Sequence, residues 1–177
     1  MKILTLILIA ISLSMDAFSL SLLYGTEGIN KKDKVMLSTI VGIYHFIMPL
    51  IGLSIGTFIT TKIIINTNKL VGIILSLIST EMIISSFKKG EEKFMKSIPG
   101  YLLFGLSVSI DSLTTGIGLT AITNSYILSS LIFSITSFIF TLLGLNLGNI
   151  LNQKYGKLST LLGGTILLIL GILYIFK

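Results

Sequence analysis

Six apolar runs of about twenty residues, joined by short polar links, decide most of what this chain can fold into. They lie near residues 3–23, 35–59, 69–87, 101–123, 125–148 and 158–176. A hydrocarbon layer roughly 30 Å thick is crossed by about twenty residues of α-helix rising about 1.5 Å each. No water reaches the backbone there, so each run must close its own hydrogen bonds as a helix. The expectation is an all-α membrane protein with six transmembrane helices, a single transporter-like domain over 1–177 with no length left for a soluble domain. No link exceeds about thirteen residues, which suits a compact bundle. The Met1 to Leu13 start resembles a signal peptide. The run continues through Asp16 to Leu23 without a small-x-small cleavage pattern, however, and is read as the first span.

Charge narrows the function. Only 11% of residues are charged, against about a quarter in soluble domains. With no cysteine, disulfides, zinc thiolates, iron–sulfur clusters and thiol nucleophiles are excluded. The net charge of +6 rests on 13 basic residues, all lysine. Without the arginine fork that reads phosphates and bases, the excess indicates membrane anchoring and no nucleic-acid partner. Nine lysines (31, 32, 34, 88, 89, 93, 96, 154 and 157) lie on the links after the first, third and fifth runs. Four (2, 62, 69 and 177) lie on the opposite face. The positive-inside rule then puts both termini outside the cell membrane. The mixed-charge stretch Lys88 to Lys96 reads as a solvated, topological loop. No phosphate-binding G-x-x-x-x-G-K-[ST] and no supported Ser-His-Asp order is present, so no enzyme and no ATP site is expected.

An internal repeat organises the chain. Ser14-Met15-Asp16-Ala17-Phe18-Ser19 is similar to Ser109-Ile110-Asp111-Ser112-Leu113-Thr114, 95 residues later. Leu50-Ile51-Gly52-Leu53-Ser54-Ile55-Gly56 is similar to Leu142-Leu143-Gly144-Leu145-Asn146-Leu147-Gly148, 92 residues later. A weaker match joins Gly72-Ile73-Ile74-Leu75 to Gly164-Thr165-Ile166-Leu167. Three spans per repeat is an odd number, so the halves (about 1–87 and 101–177) enter the membrane from opposite sides. That is the two inverted three-helix repeats of many secondary transporters, which place their sites at the midplane.

The candidate site follows from cost. An acid at the centre of a span costs about 2.5–3.5 kcal/mol on insertion scales. Asp16 and Asp111 are two such acids at equivalent repeat positions. As hard carboxylates they suit a divalent cation, with oxygen ligands from Ser12 and Ser19 around Asp16, and from Ser107, Thr114 and Thr115 around Asp111. The alternative is that each is protonated and only hydrogen-bonds between helices. Glu81 in the third run and His45 in the second, the only histidine, are expected at similar depth. Contact between them would keep both soluble in the bundle, and His45 could relay protons or ligate a metal. Pro49 predicts a kink or freed carbonyls near Val41 to His45. The two G-x-x-x-G faces read as close helix packing, with Ser54 and Asn146 as interhelical hydrogen bonders, and such faces also suit a homodimer. Met15 and Met48 read as packing, with a minor thioether reading for Met15.

These residues resemble the MntP-like manganese efflux pumps, related in plan to the lysine exporter superfamily. The resemblance covers nearly the whole chain. It rests on Ser14 to Phe18, Gly42 through Pro49-Leu50-Ile51-Gly52, Met82-Ile83-Ile84 and Ser109-Ile110-Asp111-Ser112. It implies export of Mn²⁺ from the cytoplasm, with Asp16 and Asp111 as pathway carboxylates. Two positions depart from the pattern. The family's acid in the second span aligns with His45, and its base in the third aligns with Glu81. A divergent member is implied, with an interhelical pair of reversed polarity expected. The combined expectation is a gradient-driven exporter of a divalent cation, Mn²⁺ foremost, with no cofactor. The candidate metal-ligating residues are Asp16, Asp111, Glu81, His45, Ser12 and Thr115. The alternatives are a non-transporting scaffold resembling sporulation membrane proteins, and a small amino-acid exporter.

Overall fold

The structure is a computed structural model that describes residues 2–26, 28–62, 66–87, 95–120, 122–123, 125–148, 150 and 153–176. Its elements are six helices: α1 (Lys2–Gly25), α2 (Lys31–Lys62), α3 (Thr67–Phe87), α4 (Ile98–Leu119), α5 (Tyr126–Leu147) and α6 (Gln153–Ile175). All six are long and apolar enough to cross a membrane. Polar caps explain where their ends depart from the apolar runs. The Asn30 side-chain oxygen accepts the Asp33 amide at 2.8 Å, which starts α2 four residues early. Ser97 accepts the Gly100 amide at 3.3 Å and starts α4 at Ile98, with Pro99 in the first turn where its missing N–H costs nothing. α4 stops at Leu119, short of residue 123, because the Ile122 and Thr123 amides both fold back onto the Leu119 carbonyl. α2 runs through Pro49 from Lys31 to Lys62. Most of the expected Lys88 to Lys96 loop, and Asn124 of the expected tight turn, lie outside the described residues.

Each helix has two principal neighbours. Around the bundle the order is α1, α5, α2, α4, α3, α6 and back to α1, with α1 and α4 also touching across the middle. Exchanging α1, α2 and α3 for α4, α5 and α6 leaves this set of neighbours unchanged.

Glycines set the closest approaches. A Cβ on Gly52 or Gly56 of α2 would collide with the Leu113 or Ile117 carbonyl of α4. A Cβ on Gly144 or Gly148 of α5 would collide with the Phe18 or Leu22 carbonyl of α1. The second pair of contacts is the first carried through the sequence offsets of 92 and 95. The α3–α6 contact is reciprocal too: Gly72 lies against Gly171 and Ile175, and Gly164 lies against Ser79 and Ile83, again 92 apart. The G-x-x-x-G faces are therefore consumed inside one chain, where they bring backbones together.

The same contacts give direction. α1 runs parallel to α5 and α2 parallel to α4, because residue numbers rise together across each interface. α2 is antiparallel to α5, with Gly42 near Ser134 and Phe138 and the Thr57 hydroxyl bonded to that of Tyr126. α1 therefore runs opposite to α4. By the same reasoning α6 is antiparallel to both α1 and α3.

Two apolar clusters fill the bundle. One joins Leu6, Ile9, Leu13, Leu53, Val71, Leu75 and Leu119, near the ends linked by loops 2–3 and 4–5. The other joins Tyr24, Leu37, Val41, Tyr101, Phe104 and Leu145, near the opposite ends, and has no member on α3 or α6. Tyr24 anchors it: its ring meets that of Phe104 edge-on at 5.3 Å and its hydroxyl donates to the Met95 carbonyl at 2.8 Å.

Candidate functional site

Between the two apolar clusters lies a polar middle. Asp16 on α1 and Asp111 on α4 are both half-buried, on the two oppositely directed helices that meet across the centre. The Asp111 carboxylate has Asp16 and Glu81 among its charged surroundings. Its Oδ1 accepts the Ser112 amide at 2.6 Å and the Ser112 hydroxyl at 3.3 Å. Spacing arguments, which look three and four residues away, do not single out this adjacent partner.

The hydroxyls predicted around the acids divide into two groups. Ser12 is fully buried and donates to the Leu8 carbonyl at 2.7 Å, which leaves its oxygen lone pairs available. Thr115, one turn from Asp111, is 1% exposed and its hydroxyl has no partner among the described residues. Ser107 is exposed and donates to Leu103, and Thr114 makes a long 3.5 Å bond to Ile110. A buried belt of serines, Ser14, Ser109, Ser112 and Ser137, completes the layer. Within it Ser14 and Ser137 share a 2.9 Å hydrogen bond between α1 and α5. Ser137 lies 92 residues after His45, so continuing the repeat along α2 and α5 would have found it from the sequence.

His45 is fully buried. Its Nδ1–H donates to the Val41 carbonyl at 3.0 Å, while Nε2 has no partner among the described residues. The expected contact with Glu81 is not made. Glu81 is exposed rather than buried, and α2 and α3 are not principal neighbours, because α4 stands between them in the ring. Ser54 also departs from expectation. It bonds Leu50 within α2, whereas Asn146 does link helices by accepting from Lys34 Nζ at 3.3 Å. Met15 serves packing, with its Cβ side against Gly163. Among the described residues no three of Asp, Glu and His gather as a metal-holding group.

Two seams related by the exchange of halves are unlike. Along α1–α6 the helices stay together. Thr5 and Tyr174 share a hydrogen bond, the Ser12 carbonyl lies against Gly163, Ser159 donates to the Met15 carbonyl at 3.2 Å, and Ser19 lies against Gly156. The counterparts of Ser12 and Gly163 are Ser107 and Val71. Val71 instead lies against Gly118, eleven residues beyond Ser107 on α4. That is about three helical turns, or roughly 16 Å. The α3–α6 pair thus sits off the symmetry that α1, α2, α4 and α5 obey.

Comparison with known proteins identifies the family. Residues 28–175 match the family described as "Putative manganese efflux pump". A Bacillus pumilus protein named "Putative manganese efflux pump MntP" is 34% identical over 176 residues, covering 99% of this chain and 96% of that protein. Proteins of the same name from Oceanobacillus iheyensis and Methanobrevibacter smithii are 35% and 32% identical, over 99% and 97% of this chain and 97% and 95% of their own lengths. No solved structure matches the chain. The match takes in α2 to α6 whole, and the relatives extend it over α1, so this chain belongs to the Mntp family.

Proposed function

We propose that this protein exports a divalent cation, Mn²⁺ foremost, from the cytoplasm by gradient-driven alternating access between two inverted repeats. The observation that carries the reading is the placement of Asp16 and Asp111. They are equivalent carboxylates on antiparallel helices that meet across the centre, within electrostatic reach of one another. A cation between them offsets two charges that the membrane interior otherwise penalises. Carboxylate and hydroxyl oxygens suit a hard ion, and Ser12 and Thr115 supply the nearest buried hydroxyls on the same helices.

The unequal seams support a second state in this reading. If the α3–α6 pair slides along the other four helices, the open α3–α4 seam closes and the packed α1–α6 seam opens. That is alternating access by exchange of two related interfaces. In this reading, which follows the positive-inside rule for the lysine-rich loops, both termini are outside and the ends of α3 and α4 joined by loop 3–4 face the cytoplasm. The relatives' printed names and the family description point to the same cargo.

The test is Mn²⁺ flux into proteoliposomes at matched insertion. Asp16→Asn and Asp111→Asn should each lower it at least about a hundredfold, as loss of a buried charged ligand would. Flux retained by both amide variants would leave the carboxylates a structural role between helices.

A further inference from the structure

Toward loop 3–4 the facing stripes of α3 and α4 carry exposed polar side chains, which is read as a parting of the seam. Ile74 touches Gly118 where the two helices meet. Seven and eleven residues on, Glu81 and Ser85 occupy the same face of α3. Four, seven and eleven residues back from Gly118, Thr114, Asp111 and Ser107 occupy the same face of α4. The helices are antiparallel, so the two stripes advance together toward loop 3–4. Glu81, Ser85 and Ser107 are exposed there, and Asp111 and Thr114 are half-buried. Ser12, the counterpart of Ser107, is fully buried in the packed seam. The opening is thus a departure from the molecule's own symmetry and not a general looseness. One turn beyond Asp111 on α4 is the buried Thr115 hydroxyl, which has no hydrogen-bond partner among the described residues.

We propose that this gap admits the divalent cation to Asp111 from the loop 3–4 side, and that Glu81 is the carboxylate that captures it at the mouth. The inference rests on the export reading above. Glu81 adds a negative charge on the approach, on the face of α3 that meets α4 at Ile74 and Gly118. Acidic walls of low dielectric concentrate cations at such an opening. Ser85 and Ser107 offer hydroxyl oxygens along the way, and the field of Glu81 favours a cation moving inward over an anion.

Because the chain has no cysteine, single cysteines report the gap directly. Ser85→Cys and Ser107→Cys should react with a charged, membrane-impermeant thiol reagent applied from the loop 3–4 side, and millimolar Mn²⁺ should slow the Ser107→Cys reaction. Reaction only with a lipid-soluble maleimide would show a gap filled by acyl chains and overturn the proposal. In flux assays Glu81→Gln should raise the KM for Mn²⁺ about fivefold or more with kcat within about twofold, and Glu81→Asp should restore most of the loss. An unchanged KM, or a fall in kcat alone, would overturn the capture role while the export reading stands on the parent's flux. Absence of Mn²⁺ flux in the folded parent would instead remove the export reading on which the capture role depends.

Discussion

The α1–α6 and α3–α4 seams are built from matching stretches of one repeat, yet one is packed and the other is parted. On α1 and α6 the join runs from the Thr5–Tyr174 hydrogen bond past Ser12 and Gly163 to Ser19 and Gly156. On α3 and α4 it includes Val71 and Ile74 against Gly118, while Glu81 and Ser107, further toward loop 3–4, stand exposed. The residue at one position helps explain the difference. Gly163 lets α6 approach the Ser12 carbonyl so closely that any Cβ would collide, whereas its counterpart is Val71, which cannot approach Ser107 in that way. The two seams therefore differ in packing within one molecule, and the proposed transport cycle has each take up the arrangement of the other.

The largest effect expected from breaking this comparison is at Gly163. Gly163→Val drives two methyl groups into the Ser12 backbone and should part the packed seam. The outcome is loss of Mn²⁺ transport together with new reactivity of Ser12→Cys toward impermeant thiol reagents. An unreactive Ser12→Cys in that background would show that the seam does not depend on the glycine. The scaffold glycines should behave as a matched pair. Gly52→Ala and Gly144→Ala each force a Cβ onto a facing carbonyl, and each should lower stability by about 1–3 kcal/mol in detergent unfolding. Unequal costs would mean that the α2–α4 and α1–α5 interfaces are less alike than their reciprocal contacts indicate. The smallest effect is at Lys34, whose bond to Asn146 joins two scaffold helices at an exposed position. Lys34→Met should cost less than about 1 kcal/mol and leave transport kinetics unchanged.

Much of the fold is legible in the sequence. Six spans followed from apolar length, and the repeat offsets of 95 and 92 reappear as reciprocal contacts at Gly52, Gly56, Gly144 and Gly148. Asp16 and Asp111 stood out because an acid in a span is costly. Less legible was anything that depends on how far two helices part. Glu81 read as buried because its run is apolar, and pairing it with His45 assumed that equal depth means adjacency. In the ring α4 intervenes between α2 and α3, a fact of topology that no spacing within one helix reveals. Helix ends were misjudged where Asn30 and Ser97 cap them, because apolar runs do not report capping hydrogen bonds.

The central claim is that the two seams exchange during transport, and distance measurements between paired spin labels test it most directly. One pair, Ile84→Cys with Leu103→Cys, spans the parted seam. Its repeat counterpart, Leu8→Cys with Phe176→Cys, spans the packed one. In proteoliposomes without Mn²⁺ the first pair should be the farther apart. With Mn²⁺ and an imposed gradient, a second population should appear in which the first pair shortens as the second lengthens. A single unchanging distance for both pairs under every condition would contradict exchange of the seams.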